Sequence, residues 1–119
     1  LQHALWREAI SLVENGICDA EAVDTVVKSS FGRRLAVLGP LENADLVGTD
    51  LTLDIHQNVL FDLESGGGTS PYLQNMVKRG EFGMKSGKGF HVWTDKSASK
   101  IRERVSKHLQ KLEEILKNP

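Results

Sequence analysis

The chain has 119 residues, of which 39% are hydrophobic and 26% are charged, a composition typical of a globular protein. A chain of this length buries about two-thirds of its unfolded surface, so we expect one domain with one hydrophobic core. Fifteen Lys and Arg against sixteen Asp and Glu give a net charge of −1, which argues against binding to nucleic acid or to anionic lipid. The single cysteine, Cys18, excludes an internal disulfide. No apolar run approaches the roughly 18 residues of a membrane span, and we expect a cytoplasmic protein with no membrane partner.

Apolar residues recur at helical spacing along most of the chain and predict an all-α fold, a bundle of about five to six helices. The chain begins at Leu1, without Met, inside the first predicted helix, which indicates a piece of a longer protein. The helix boundaries are predicted from capping and breaking residues, which are Gly16, Asp19, Pro40, Gly48, Thr49 or Asp50, Ser70, Pro71 and Gly80. The faces predicted to point inward are formed by Leu5, Ala9, Leu12 and Val13, by Val23, Val26 and Val27, by Leu41, Leu46 and Val47, by Leu51, Ile55, Val59 and Leu63, and by Leu73, Met76 and Val77.

Residues 95–119 differ from the rest in charge. They hold seven basic and four acidic side chains, whereas residues 1–94 hold eight basic and twelve acidic ones. Their apolar residues form one stripe, which consists of Ile101, Val105, Leu109, Leu112 and Leu116. A basic amphipathic helix of this kind binds a membrane surface or a partner helix, or else packs on its own domain or on a second subunit. The carboxylates among its charged residues dilute the positive face and favour the packed helix.

The sequence predicts no metal centre within this chain, and no sequence motif marks a catalytic residue, although a Ser-His-Asp triad assembled in space stays open. The four histidines are scattered, and none has a second ligand at helical spacing. No G-x-S-x-G nucleophile motif is present. Asp50 and Asp54 lie one helical turn apart, but we interpret Asp50 as a helix cap. The pair Arg33-Arg34 is compatible with an anion contact, with capping of helix carbonyls and with plain exposure to solvent, and solvent exposure or capping is favoured.

The segment Gly83-Met84-Lys85-Ser86-Gly87-Lys88-Gly89 is a candidate phosphate-binding loop. It lacks the spacing of G-x-x-x-x-G-K-[ST] and the third glycine of G-x-G-x-x-G, which excludes both standard nucleotide motifs. Two interpretations remain. In one, backbone N–H groups and the two lysines contact a phosphate; in the other, the glycines allow the backbone to approach itself closely. The residues alone favour the second.

Several strings in their order and spacing resemble the C-terminal domain of the 3-hydroxyacyl-CoA dehydrogenase family. They are L-Q-H-A-L-W-R-E-A-I-S-L-V-E-N-G at residues 1–16, D-A-E-A-V-D at 19–24, G-P-L-E-N-A-D-L-V-G-T-D at 39–50, S-P-Y-L at 70–73 and G-M-K-S-G-K-G-F at 83–90. The resemblance covers residues 1 to about 94 and leaves 95–119 as a C-terminal helical extension. It implies a fold similar to the C-terminal domain of 6-phosphogluconate dehydrogenase, with the Gly-rich loop near its end.

The resemblance also implies an activity and partners. The family oxidises 3-hydroxyacyl-CoA to 3-ketoacyl-CoA in fatty acid metabolism (beta-oxidation), with NAD held mainly by an N-terminal Rossmann domain. It implies that the catalytic His and Glu and a substrate-binding Asn lie upstream of Leu1, so that this chain alone is inactive. It further implies a homodimer formed through this domain, an acyl-CoA substrate, and a position for Lys85 close to NAD. Two alternatives remain open: a related dehydrogenase for a 3-hydroxy acid without CoA, and a non-catalytic dimerisation module.

Overall fold

The computed structural model describes residues 1–118 and confirms the all-α prediction. It contains six α-helices, which are α1 (Gln2–Glu14), α2 (Ala20–Ser29), α3 (Pro40–Val47), α4 (Thr49–Val59), α5 (Pro71–Lys78) and α6 (Asp95–Lys117). Short 3-10 turns lie at Phe31–Arg33, Leu60–Asp62 and Met84–Ser86. Within residues 1–118 there is no β-strand, only isolated antiparallel bridges of Lys88 with Gly83 and with Val92. No helix of this described part is long and apolar enough to cross a membrane.

Helix α1 ends where the glycine predicts it. Gly16 has φ +68°, a left-handed conformation that glycine adopts without steric cost. The Ile17 N–H donates to the Leu12 carbonyl at 3.0 Å and the Gly16 N–H donates to the Val13 carbonyl at 3.1 Å, the two hydrogen bonds of a Schellman motif. A single glycine in the sequence therefore fixes both the end of α1 and the direction of the chain after it.

Side-chain caps also lie where they were expected, with one exception. The Asp19 carboxylate accepts a hydrogen bond from the Ala22 N–H at 2.8 Å at the start of α2. The exception is Asp50, whose predicted capping role is wrong. Gly48, at φ +108°, precedes α4 without a side-chain cap, and Asp50 lies inside the first turn. There the carboxylate interacts favourably with the positive end of the helix instead.

The chain forms two compact units, residues 1–73 and the part from Gln74 onward. In the first, α1 contacts α2, and α3 contacts α4. The segment after α4 returns to α1 through polar contacts. The Glu64 N–H donates to the Glu8 carboxylate at 2.7 Å, and the Ser70 hydroxyl donates to the Glu14 carboxylate at 3.3 Å.

The predicted inward faces are largely uncovered, so the expectation of one closed core is wrong. No residue between 1 and 73 is buried; Leu41 is 79% exposed and Leu46 is 72% exposed. Within residues 1–118 the buried residues are Met76, 3% exposed, and Ala98, 5% exposed. Helical periodicity identifies which face of a helix is apolar, but it does not say whether the element that covers that face belongs to the same chain.

Candidate functional site

The second compact unit contains a glycine-rich loop between α5 and α6, residues 80–93, which we call the lysine loop. Its start is fixed by a second Schellman motif. Gly80 has φ +76°, and its N–H donates to the Val77 carbonyl at 3.0 Å, while the Glu81 N–H donates to the Met76 carbonyl at 3.0 Å. Because Met76 is buried, the first residues of the loop are attached to a well-packed turn of α5.

The glycines of the lysine loop are required by its backbone. Gly83 and Gly87 have φ values of +86° and +84°, which side chains rarely adopt. A Cβ atom on Gly89 would lie 2.7 Å from the Gly83 Cα, closer than such atoms approach. The Gly83 N–H donates to the Lys88 carbonyl at 2.8 Å and the Trp93 N–H to the Gly87 carbonyl at 2.8 Å. The glycines therefore serve close backbone approach, as the second interpretation predicted, and these N–H groups bond within the loop.

Ser86 connects the two sides of the lysine loop. Its hydroxyl oxygen accepts a hydrogen bond from the Phe82 N–H at 2.8 Å. The same hydroxyl lies 3.2 Å from the Gly83 carbonyl and 3.0 Å from the Lys88 carbonyl, to which it donates its one proton. The short 3-10 turn that carries Lys85 is thereby closed at its base by one side chain.

Glu81 holds two of the basic side chains near the loop. Its carboxylate accepts from the Arg79 guanidinium at 3.2 Å and 3.1 Å, through both Nε and Nη2, and it lies 3.3 Å from the Lys88 ammonium. The Glu81 side chain is 15% exposed. The hydrogen bonds from Arg79, reinforced by those from Lys88 and by both positive charges, hold the pKa of this carboxyl below its ordinary value, although partial burial opposes the shift.

Lys85 lies in the middle of the loop and, unlike Arg79 and Lys88, does not pair with Glu81. It is exposed, and its ammonium group lies 5.8 Å from the centre of the Phe82 ring, within range of a cation–π contact. Within residues 1–118 its ammonium forms no ion pair. The structure therefore brings Arg79 and Lys88 together on Glu81 and leaves the Lys85 charge open to an anionic or polar ligand.

The other residues considered from the sequence do not gather into a site. His3 packs edge-on against Trp6 at 5.1 Å between ring centres, and His91 packs likewise against Trp93 at 6.0 Å. No group of three His, Cys, Asp or Glu side chains that could hold a metal ion occurs within residues 1–118. Arg33 ends the 3-10 turn after α2 and Arg34 is its C-cap residue, and neither side chain forms an ion pair within residues 1–118.

The sequence reasoning did not identify Glu81 or Ser86. A signal for Glu81 was available, because it directly follows the predicted helix stop at Gly80 and is flanked by basic residues on both sides. A Schellman motif at that glycine sets the backbone of the next residue, which makes the neighbouring acid a candidate partner. Ser86 carried no such signal, because its bonds depend on a loop conformation without periodicity.

Comparison with known proteins gives the chain a family. Residues 1–93 match the family described as 3-hydroxyacyl-CoA dehydrogenase, C-terminal domain. Of the relatives, a probable 3-hydroxybutyryl-CoA dehydrogenase of Bacillus subtilis is 38% identical over 97 residues, which covers 77% of this chain and 31% of that protein. A 5-formyl-3-hydroxy-2-methylpyridine 4-carboxylate 5-dehydrogenase of Mesorhizobium japonicum is 31% identical over 114 residues, which covers 96% of this chain and 37% of that protein.

A solved structure agrees with these matches. The crystal structure of a 5-dehydrogenase for the same pyridine carboxylate, described as an NAD+-dependent dismutase, superimposes with a TM-score of 0.92 at 30% identity. The superposition covers 98% of this chain and 38% of that one. The chain spans about a third of the length of the relatives it matches, 37% and 31% for the two described above. By the match over residues 1–93 and the agreement in fold, this chain belongs to the 3-hydroxyacyl-CoA dehydrogenase family, as a C-terminal domain.

Proposed function

We propose that the protein containing this chain is an NAD-dependent L-3-hydroxyacyl-CoA dehydrogenase, similar to the 3-hydroxybutyryl-CoA enzymes, and that this chain carries one wall of its cofactor and substrate cleft. The observation that supports the proposal is the lysine loop, which offers Lys85 to a ligand while Glu81 pairs with the neighbouring cations. The reaction converts the C3 hydroxyl of the acyl chain to a ketone. Lys85 would help to hold NAD, which would supply the hydride acceptor, and the hydroxyl proton would pass to a base outside this chain.

The contribution of this chain to the chemistry is binding. The Lys85 ammonium attracts the anionic or polar groups of the dinucleotide through a charge-assisted contact. The base of the loop, closed by Ser86 and by the close approach of Gly83 and Gly89, sets the backbone position from which the Lys85 side chain extends. We assign no proton transfer to any residue of this chain and expect the 119-residue chain alone to be inactive.

The uncovered apolar faces support two partners. Leu41, Leu46 and Phe61 are 79%, 72% and 76% exposed, and burial of one such side chain is worth about 1.5–3 kcal/mol. We propose that an N-terminal Rossmann domain of the same protein and a second copy of this domain cover these faces. The cytoplasmic location expected from the sequence stays a prediction.

A second candidate is a dehydrogenase for a small carboxylate that carries no CoA. The observation that favours it is the extent of similarity beyond residue 93. The family match ends at that residue, one residue before the Thr94 cap of α6, whereas the similarity to the pyridine-carboxylate dehydrogenase covers 96% of the chain in sequence and 98% in structure. Helix α6 is therefore shared with a relative whose name contains no CoA.

A substrate panel on the full-length protein separates the two candidates. NADH formation is measured with 3-hydroxybutyryl-CoA, with free 3-hydroxybutyrate and with 5-formyl-3-hydroxy-2-methylpyridine 4-carboxylate, and the 119-residue chain serves as a control expected to give no signal. Turnover of the CoA ester alone supports the first proposal, and turnover of a free carboxylate alone supports the second. Absence of NAD-dependent turnover with hydroxyacyl-CoA esters and with carboxylates of both kinds contradicts both candidates.

Substitution of Lys85 tests whether this residue contacts NAD, and the test uses the substrate that the panel identifies. Replacing Lys85→Ala removes one charge-assisted contact, worth on the order of 1 kcal/mol, so we expect a KM for NAD that is about fivefold higher. Lys100→Ala, on the exposed surface of α6, serves as the matched control and should leave that KM unchanged. An unchanged KM in Lys85→Ala removes Lys85 from the cofactor site.

A further inference from the structure

We propose that Glu81 is a positioning residue for the cofactor contact of Lys85. By binding Arg79 and Lys88 from a fixed backbone, it sets the turn that carries Lys85 and leaves Lys85 as the cation of the loop that faces the ligand. The inference rests on the proposed role of Lys85 in NAD binding and goes beyond it, because Glu81 is assigned no contact with the cofactor.

The first step is mechanical. The Glu81 backbone is held by its hydrogen bond to the carbonyl of the buried Met76. Its carboxylate extends to the Lys88 ammonium at 3.3 Å, and the Lys88 carbonyl in turn accepts the Gly83 N–H at 2.8 Å. Lys88 is thus fixed at both its side chain and its backbone. The Met84–Ser86 turn lies between Gly83 and Lys88, so the position of Lys85 follows from where Lys88 is held.

The second step is electrostatic. Arg79, Lys85 and Lys88 lie within ten residues of one another, and Glu81 is the acid among residues 79–88. Without the Glu81 carboxylate, the positive charges of Arg79, Lys85 and Lys88 would repel one another in and beside the loop, and the Lys88 ammonium would be available to an anionic ligand. When the Glu81 carboxylate is present, it pairs with Arg79 at 3.1 Å and with Lys88 at 3.3 Å. The dinucleotide then meets the one ammonium of Lys85 in a defined place rather than the two of Lys85 and Lys88 in variable places.

The geometry differs from that of an ordinary surface ion pair, which contributes little. The Arg79 guanidinium donates to the Glu81 carboxylate through two nitrogens, and the Glu81 side chain is 15% exposed. By contrast, the Glu103 carboxylate on α6 pairs with Lys107 at 3.1 Å while 65% exposed. Glu103 therefore provides a matched control, because the same substitution there removes an ion pair of similar length that lies outside the loop.

The test is a double-mutant cycle on the full-length enzyme with Glu81→Gln, Lys85→Ala and both together. The measured quantities are the KM for NAD and kcat. We expect Glu81→Gln to raise the KM for NAD roughly threefold to tenfold with kcat nearly unchanged, the effect of misplacing one charged contact. In the Lys85→Ala background, the same substitution should change the KM by less than about 1.5-fold, because coupled residues are not additive. Glu103→Gln should leave both values unchanged.

The outcomes separate this inference from the proposed function. If Lys85→Ala raises the KM but Glu81→Gln does not, or if the two effects multiply independently, the positioning role is overturned and the Lys85 assignment stands. If Lys85→Ala has no effect, the Lys85 assignment and this inference both fall. If Glu81→Gln does not fold, Lys88→Met opens the same contact from its other end. It should reproduce the KM increase and its dependence on Lys85, and an increase that persists in the Lys85→Ala background would overturn the inference.

Discussion

Substitution of Gly89 tests the close approach at the base of the lysine loop. A Cβ on Gly89 would lie 2.7 Å from the Gly83 Cα and 3.1 Å from the Gly83 nitrogen. Both contacts are with backbone atoms, which cannot rotate away as a flexible side chain can. The Gly83 N–H also donates to the Lys88 carbonyl at 2.8 Å, so a shift that relieves the clash lengthens that hydrogen bond. Overpacking of this kind costs about 1–3 kcal/mol, and we expect Gly89→Ala to lower the free energy of unfolding by that amount.

The assay is urea unfolding followed by far-UV circular dichroism. With a denaturant dependence of about 1–3 kcal/mol per molar urea, the expected midpoint decrease is on the order of 1 M. Gly67→Ala is the matched control, because no atom lies within 4 Å of its added Cβ and its φ is not left-handed. There the same change should be neutral or should stabilise by about 0.4–1 kcal/mol through the unfolded chain. Equal midpoints for the two variants would refute the close approach of Gly83 and Gly89.

Three further outcomes are expected. Ser86→Ala removes the acceptor of the Phe82 N–H in an exposed hydrogen bond and should lower the free energy of unfolding by about 0.5–1.5 kcal/mol, whereas an unchanged urea midpoint would contradict the bridging role of the hydroxyl. Because the folded-state pKa of Glu81 is lowered, its contribution is present above the ordinary pKa of about 4.3 and is lost as the pH falls through the lowered value. The difference in urea midpoint between wild type and Glu81→Gln should therefore shrink as the pH falls below the ordinary pKa of about 4.3; a pH-independent difference argues against the ion pair. Light scattering on the isolated chain should give the mass of a dimer, and a monomer would remove the second copy from the proposed partners.

Local features of the fold were predictable because single residues determine them. Gly16 and Gly80 end helices through the left-handed conformation, Asp19 caps α2 with its carboxylate, and Pro71 occupies the first position of α5. Each of these depends only on the residue and its immediate neighbours. The capping role predicted for Asp50 was wrong, because Asp is favourable both at the N-cap and inside the first turn of a helix. The residue type alone does not distinguish these two positions.

The candidate site was predictable only in part. The resemblance pointed to Lys85, and the loop around it could be located from its glycines. The contacts of Ser86 with Phe82, Gly83 and Lys88 could not be predicted, because they depend on the conformations of Gly83 and Gly87 together with the close approach at Gly89. The ion pairs of Glu81 were predictable in part. The charges are visible in the sequence, but the distances between them depend on the Schellman motif that orients Glu81.

The apolar faces of α3 and α4 are exposed in this chain, which corresponds to the C-terminal domain of its family. A helix such as α3 is too short to be stable through its backbone alone, and its apolar side chains stabilise it only when something covers them. Leu41 and Leu46 on this helix remain 79% and 72% exposed, although the helix itself is well defined by Pro40 at its start and Gly48 at its end. The chain spans about a third of the two relatives described above, and the N-terminal domain and second copy that we propose as partners would cover such faces. The stability of α3 and α4 should therefore depend on contacts outside residues 1–118 more than that of α5, whose Met76 is already buried.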